Sequence, residues 1–161
     1  MKNHLVRDIV RNKGNTKGLI FIILFRICRL SQVSIFTKVL FFPLSFLYKL
    51  TVQWILGIDI PLRVSIGEGF VLYHGVGVVV HPSVIIGKNV TMRQSTTIGI
   101  KYNNGKAPII GDNVDIGAHS VLVGDITIGS NVIIGAGTTI LKTIDSGLTV
   151  VNENKVRVLN G

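Results

Sequence analysis

Cysteine occurs once in this chain of 161 residues, at Cys28, so no internal disulfide can form and nothing points to an oxidising compartment. Long apolar runs are also missing. The stretches 19–25, 30–37 and 39–48 are cut by Arg26, Arg29, Lys38 and Lys49. None reaches the roughly 18–20 uncharged residues that span a bilayer. The first of them follows a polar, basic lead and precedes no small-x-small cleavage site, so no secretory signal is expected and the chain is expected to stay cytoplasmic. Acids are few, eight against 17 Lys and Arg, and proline occurs only four times against 18 glycines. With ordinary aromatic content, neither disorder nor a collagen repeat fits.

What is present is unevenly placed. Residues 1–58 hold nine Lys/Arg against Asp8 alone, a net of +8, whereas residues 59–161 hold eight against seven acids, a net of +1. A nucleic-acid binder carries its basic residues on the folded body, so no nucleic-acid partner is expected. The length suits one domain with an appendage. In the front segment two or three helices are expected, with Pro43 starting or kinking the last. Gly14 and Gly18 bracket a polar turn before the first long helix. Two compatible explanations account for its apolar surface. The preferred one is a helical cap on the body or on a neighbouring subunit, its Lys/Arg solvated. The other is an interfacial anchor whose basic residues meet anionic headgroups at a membrane.

From residue 60 onward the chain repeats every six residues. Aliphatic side chains recur at Ile60, Ile66 and Leu72, then at Val80, Ile86, Met92 and Ile98, then at Ile110, Ile116, Leu122, Ile128, Ile134 and Ile140. Four residues after these come small or apolar residues, Val64, Phe70, Val76, Val84, Val90, Thr96, Val114, Ser120, Ile126, Val132, Thr138 and Ile144. A helix would want a period of 3.6 and a half-buried strand a period of 2. A period of six means short strands joined by tight corners, where Gly and Asn in "GKN", "GDN" and "GSN" supply backbone shapes other residues resist. This predicts a mainly β fold, a parallel β-helix of hexapeptide repeats stabilised by stacking, after a helical segment. The expected divisions are a helical segment over 1–58, the β-helix over 59–145 and a tail over 146–161.

Two places break the beat. Within "LYHGVGVVV", residues 72–80, the repeat slips by two at His74. At 99–109, "GIKYNNGKAPI", no aliphatic appears on the beat, and the polar stretch reads as a loop pushed out of the coil. Insertions on a regular solenoid map to its working face.

With these features the chain resembles the hexapeptide-repeat acyltransferases with a left-handed β-helix. It is most similar to the serine acetyltransferase branch and, within it, to the colanic-acid and capsule acetyltransferases. The "YKL…LGIDI" start, the "YHG" turn, "RQSTTIG" and "VGDITIG…IIGAG" carry the likeness, over about residues 45–158. The resemblance implies a homotrimer, with a dimer of trimers as the alternative, and acetyl-CoA as donor to a hydroxyl. It implies His74 as general base and Asp59, fifteen residues upstream, as the carboxylate that orients it. Backbone groups at Gly99, Ala118, Gly135 and Ala136 would hold the CoA pantetheine. Lys142 would meet the phosphates, as would Lys155 and Arg157, although "NENKVRV" departs from the family's usual tail.

Acceptor contacts are expected from Tyr73, Gln94 and Lys106. In serine acetyltransferases the residue before the base is an Asp for the amino-acid ammonium, and the loop carries an Arg-His pair for the carboxylate. Here Tyr73, Lys106 and Ala107 stand at those positions, which points to a neutral sugar or lipid-linked saccharide of a surface polysaccharide. Serine O-acetyltransferase is the alternative. A zinc enzyme like the γ-carbonic anhydrases is the least favoured reading, since it would need His74, His81 and His119 to converge, and no metal is expected.

Overall fold

Six residues make one side of a triangle: a short strand and a corner. Three sides close a coil of eighteen residues, as the pairings Val79↔Thr97, Ile109↔Thr127 and Asp115↔Ile133 record. The computed structural model describes residues 2–152 and has a left-handed parallel β-helix of about five turns behind a helical front segment. The first face of the prism stacks β1 (Ile58–Asp59), β4 (Val78–Val80), β7 (Thr97–Gly99), β10 (Val121–Val123) and β13 (Thr139–Ile140). The second stacks β2 (Ser65–Ile66), β5 (Ile85–Ile86), β8 (Ile109–Ile110) and β11 (Thr127–Ile128). The third stacks β3 (Val71–Tyr73), β6 (Thr91–Arg93), β9 (Asp115–Ile116), β12 (Ile133–Ile134) and β14 (Thr149–Val150). Lys155 and Arg157 lie outside the described residues.

All thirteen aliphatics of the beat are buried, each gaining about 1.5–3 kcal/mol from its neighbours above and below. Of the second inward set only Val76 fails. It is 62% exposed, and Val78 fills its seat. At the corners the two residue types do different work. Asn89, Asn113 and Asn131 take the left-handed conformation (φ 56, 57 and 60°), and their side-chain amides form a ladder at 3.0 and 3.1 Å. The glycines of the same triplets are there for contact between coils: a Cβ on Gly87 would lie 2.5 Å from the carbonyl oxygen of Gly111.

The front segment forms four α-helices rather than two or three: α1 (Lys2–Arg11), α2 (Thr16–Arg29), α3 (Ile35–Leu40) and α4 (Phe42–Tyr48). A 3-10 turn (Leu30–Gln32) and a π-helical turn (Lys49–Ile55) complete it. The additional start is local in origin. Ser34 and Thr37 make a capping box that opens α3, and Pro43 sits in the first turn of α4. Gly14 does lie in a turn (φ +83°), but Gly18 is buried inside α2, where a Cβ would stand 2.5 Å from the Leu72 carbonyl oxygen.

The first coil has no coil before it to receive its backbone groups, and buried backbone groups must be paired. Helices α1 and α2 supply the partners. Arg29 donates to the Val64 carbonyl (2.7 Å), Arg26 to those of Ile66 and Gly67 (2.6 and 2.5 Å), and Arg11 to that of Gly69. Asn12 donates to the Phe70 carbonyl (2.8 Å) and Asn15 to that of Leu72 (3.0 Å). Asp8, fully buried, accepts from the amides of Gly69 and Phe70 (2.7 and 3.1 Å) and from Arg26 (2.8 Å). Arg7 pairs with Glu68 at 2.6 Å. The expectation of solvated or lipid-facing basic residues is therefore corrected for Arg11, Arg26 and Arg29, which cap the open end of the solenoid; Arg7 stays largely exposed and meets only the Glu68 side chain. Phe21 packs with tilted rings against Phe25 and Phe70, centroids 5.8 and 6.3 Å apart, and plugs the same end. The Tyr48 hydroxyl donates to the Ile60 carbonyl at 2.8 Å, and burial drives its pKa far above the usual range, with Cys28 and Asp59 adding to the rise.

Candidate active site

The strand pairings locate the slip to single residues. Tyr73 pairs with Arg93, twenty residues on, whereas the Ser95 amide, in the next left-handed corner, donates to the Val76 carbonyl at 2.9 Å. Between these two rungs the lower coil has Arg93 and Gln94 adjacent, and the upper coil has His74 and Gly75 inserted. Gly75 is buried; a Cβ there would meet Ile58 Cδ1 at 2.8 Å and Leu72 Cδ2 at 2.9 Å, so a larger residue would need those two side chains to shift. His74 turns outward with a φ of +58°, the left-handed conformation that Asn89, Ser95, Asn113, His119 and Asn131 also take at corners. Its imidazole stands exposed over a small hollow of about 40 Å³ bounded by Lys17, Gly18, Leu56, Ile58 and Val76.

Asp59 follows Ile58 on the first rung of the first face. Its carboxylate accepts a hydrogen bond from Gln53 Nε2 at 3.0 Å, and among the described residues none joins it to His74. The other expected residues divide between two corners. On the corner between the third and first faces, Val76, Gln94, Ala118 and Ala136 occupy one column. Successive backbone bonds link them, from His119 to the Gln94 carbonyl (3.0 Å) and from Gly137 to the Ala118 carbonyl (2.8 Å). His74, Tyr73 and Gly135 share that corner.

Gly99 ends β7 at the opposite edge of the first face, paired with Val123. Beyond it Ile100–Ala107 stand where the next coil has only Gly124 and Asp125, so the looped-out stretch is bounded by Gly99 and Pro108. Lys106 in this loop pairs with Asp125 at 3.2 Å, and Lys101 lies 5.4 Å from the ring of the exposed Tyr102. Lys142, two residues past β13, is exposed on this same second corner. A hollow of about 720 Å³ belongs to neither corner; Arg26, Arg29, Ser65, Gly67 and Lys88 line it.

The sequence reading missed Arg93 and Asp115. Arg93 stands on the rung beside Tyr73. It grips both carboxylate oxygens of Asp115 (Nη2 to Oδ2 at 3.4 Å) and the Ile116 carbonyl at 3.3 Å. The hydrogen bond to Asp115 holds the guanidinium pKa above its usual range against partial burial. The pair is neutral overall and rich in donors and acceptors beside an aromatic ring. The available signal was a lone arginine on the rung that the slip makes a neighbour of "YHG". His81 and His119 stay apart from any cluster: the ring of His81 accepts from the Ser83 amide at 3.3 Å, and His119 is a corner residue (φ +60°). Among the described residues no three His, Cys, Asp or Glu side chains gather as metal ligands. Burial raises the Cys28 thiol pKa in the helical cap, and Cys28 belongs to neither corner.

Residues 107–142 match the family model for bacterial transferase hexapeptide (six repeats). The sequence is 30% identical to an Escherichia coli (strain K12) protein bearing the name colanic acid biosynthesis acetyltransferase WcaB, over 96% of this chain and 99% of that one. The fold is similar to the soybean serine acetyltransferase apoenzyme, with 27% identity and a TM-score of 0.80 over 98% of this chain. It is also similar to Entamoeba histolytica serine acetyltransferase isoform 3 in complex with cysteine, with 29% identity and a TM-score of 0.77 over 99%. The chain spans 68% and 61% of the lengths of those two structures' chains.

Proposed function

Because the chain belongs to the hexapeptide-repeat acyltransferases, in the branch that includes the serine acetyltransferases, we propose that it acetylates a sugar hydroxyl of a surface polysaccharide precursor, with acetyl-CoA as donor. The observation that carries the reading is the inserted pair His74–Gly75, which sets an exposed imidazole beside Tyr73 and the neutral Arg93–Asp115 pair. Tyr73, not an acid that would hold an ammonium group, precedes the base, and Asp115 already cancels the charge of Arg93. An aromatic face with neutral hydrogen-bonding groups suits a saccharide better than an amino acid.

The chemistry moves one proton in two transfers. Neutral His74 takes the proton of the acceptor hydroxyl as its oxygen attacks the thioester carbonyl carbon. The carbon–sulfur bond breaks, and the imidazolium returns its proton to the CoA thiolate. Asp59 orients the imidazole once it exchanges its exposed bond to Gln53 for one to the ring. The donor lies along the corner of small residues Ala118, Gly135 and Ala136, with Gly99 and Lys142 reaching it from the other corner. In one chain these two groups flank opposite edges of the first face, and a hollow of about 40 Å³ cannot take CoA. A homotrimer, in which one subunit's second corner faces its neighbour's His74, brings them together.

Mass spectrometry of surface polysaccharide from cells carrying the wild-type chain, His74→Ala or neither tests the reading. Acetyl groups present only with wild type are expected. Acetylation retained by His74→Ala, or transfer to serine by the purified protein with no chain-dependent acetyl groups on polysaccharide, overturns it.

A further inference from the structure

The helical front divides into two parts with different surroundings. Helices α1 and α2 are committed to the end of the solenoid through Asp8, Arg11, Asn12, Arg26 and Arg29. Residues 33–56 are anchored by the buried Tyr48 and Val52 but leave most of their apolar side chains uncovered. Helix α3 has no buried residue, and Phe36, Val39, Phe42, Phe46, Trp54 and Ile55 are each 59–75% exposed. Single exposed apolar residues are ordinary, but six large ones within one short segment are not. No acid occurs between Ile9 and Ile58, while Lys13, Lys17, Lys38 and Lys49 are all exposed.

We propose that residues 33–56 dock on an anionic lipid bilayer surface. Charge decides between that and a second copy of the chain. A two-fold contact between copies would bring Lys38 and Lys49 toward their own counterparts, with no acid in the segment to meet them; anionic headgroups supply the missing charge. Phe and Trp are the side chains that settle at the headgroup level. Among the described residues no helix is long and apolar enough to cross a membrane, so the contact is with the surface.

The docked face leads to the candidate active corner. Leu56 forms part of the wall of the hollow under His74, and Gln53 in the π-helical turn holds Asp59. Docking therefore brings His74 to the lipid surface and makes the acceptor a saccharide on a lipid carrier. This second step rests on the acceptor class proposed above.

Flotation of the full chain with vesicles of phosphatidylcholine, alone or with phosphatidylglycerol, tests the docking without any acceptor. Binding to the anionic vesicles that weakens with salt is expected. Recovery should fall roughly tenfold or more in Phe42→Ser/Trp54→Ser and in Lys38→Glu/Lys49→Glu, with the circular dichroism and the sedimentation coefficient unchanged. No recovery of the wild type, or equal recovery of the variants, overturns the docking. Variants that sediment as a smaller assembly while floating normally assign the face to a second copy and overturn it as well. Thioester cleavage with a soluble saccharide reads the proposed chemistry separately. Cleavage with a vesicle-anchored saccharide should fall selectively in the variants, and an equal fall with both acceptors overturns the lipid-linked assignment.

Discussion

A single histidine carries the proposed chemistry and a single aspartate holds the cap. His74 is exposed in a left-handed conformation that Asn also tolerates, so His74→Asn removes the base without straining the turn. The expected outcome is a loss of about 10²–10⁴ in kcat/KM for acetyl transfer with the melting temperature unchanged, read by CoA release and calorimetry. Asp8 is the opposite kind of residue. It is fully buried and answers Arg26 and two backbone amides at once. Asp8→Ala leaves the two amides and Arg26 Nε without an acceptor and the Arg26 charge without its counter-ion. It should cost about 3–5 kcal/mol in denaturant unfolding, because a buried charge left without its partner keeps its full desolvation penalty. An Asp8→Ala protein within about 1 kcal/mol of wild type would contradict the cap as described.

At the scale of the element, the slip is an insertion on an otherwise continuous wall. The coil beneath runs straight from Arg93 to Gln94, so joining Tyr73 directly to Val76 restores the eighteen-residue period. A chain lacking His74 and Gly75 should keep its β-sheet circular dichroism and its thermal stability, and should have no transferase activity. Unfolding on that deletion would mean that the insertion serves the scaffold. Helix α2 depends on a close approach of the opposite sort. Gly18→Ala pushes a methyl group toward the Leu72 carbonyl and the Asn15 amide, and should destabilise the protein by about 1–3 kcal/mol in the same unfolding measurement.

For the whole molecule the question is where the two corners meet. Gly99, Lys106 and Lys142 lie on one edge of the first face, and His74, Tyr73, Gln94, Ala118 and Ala136 on the other. If neighbouring subunits complete each site, a His74→Asn chain co-expressed with a chain carrying Gly99→Trp should recover activity that neither has alone. The recovery should be about a quarter of the wild-type rate for random mixing at equal amounts. A Cβ at Gly99 meets nothing within 4 Å in its own chain, so the tryptophan is expected to block the cleft while the fold stands. No recovery in isolated mixed trimers would place the whole site in one subunit.

Periodicity made the scaffold legible. A six-residue beat admits one way of burying thirteen aliphatics, and His74 stood out because a regular repeat makes an irregularity visible. The corner glycines were legible as corners but not as contacts, since a sequence shows which residue can turn and not which backbone lies 2.5 Å above it. The sequence alone thus determined the coil, the position of its two interruptions and the charge asymmetry. Only the tertiary structure decided that three arginines close the solenoid's end, that Asp59 bonds Gln53, and that Arg93 stands beside Tyr73. The physical reason is that a repeat specifies its own stacking locally. The partners of an unpaired coil end, or of a side chain on an outer rung, come from segments 6 to 61 residues away and have no period to betray them.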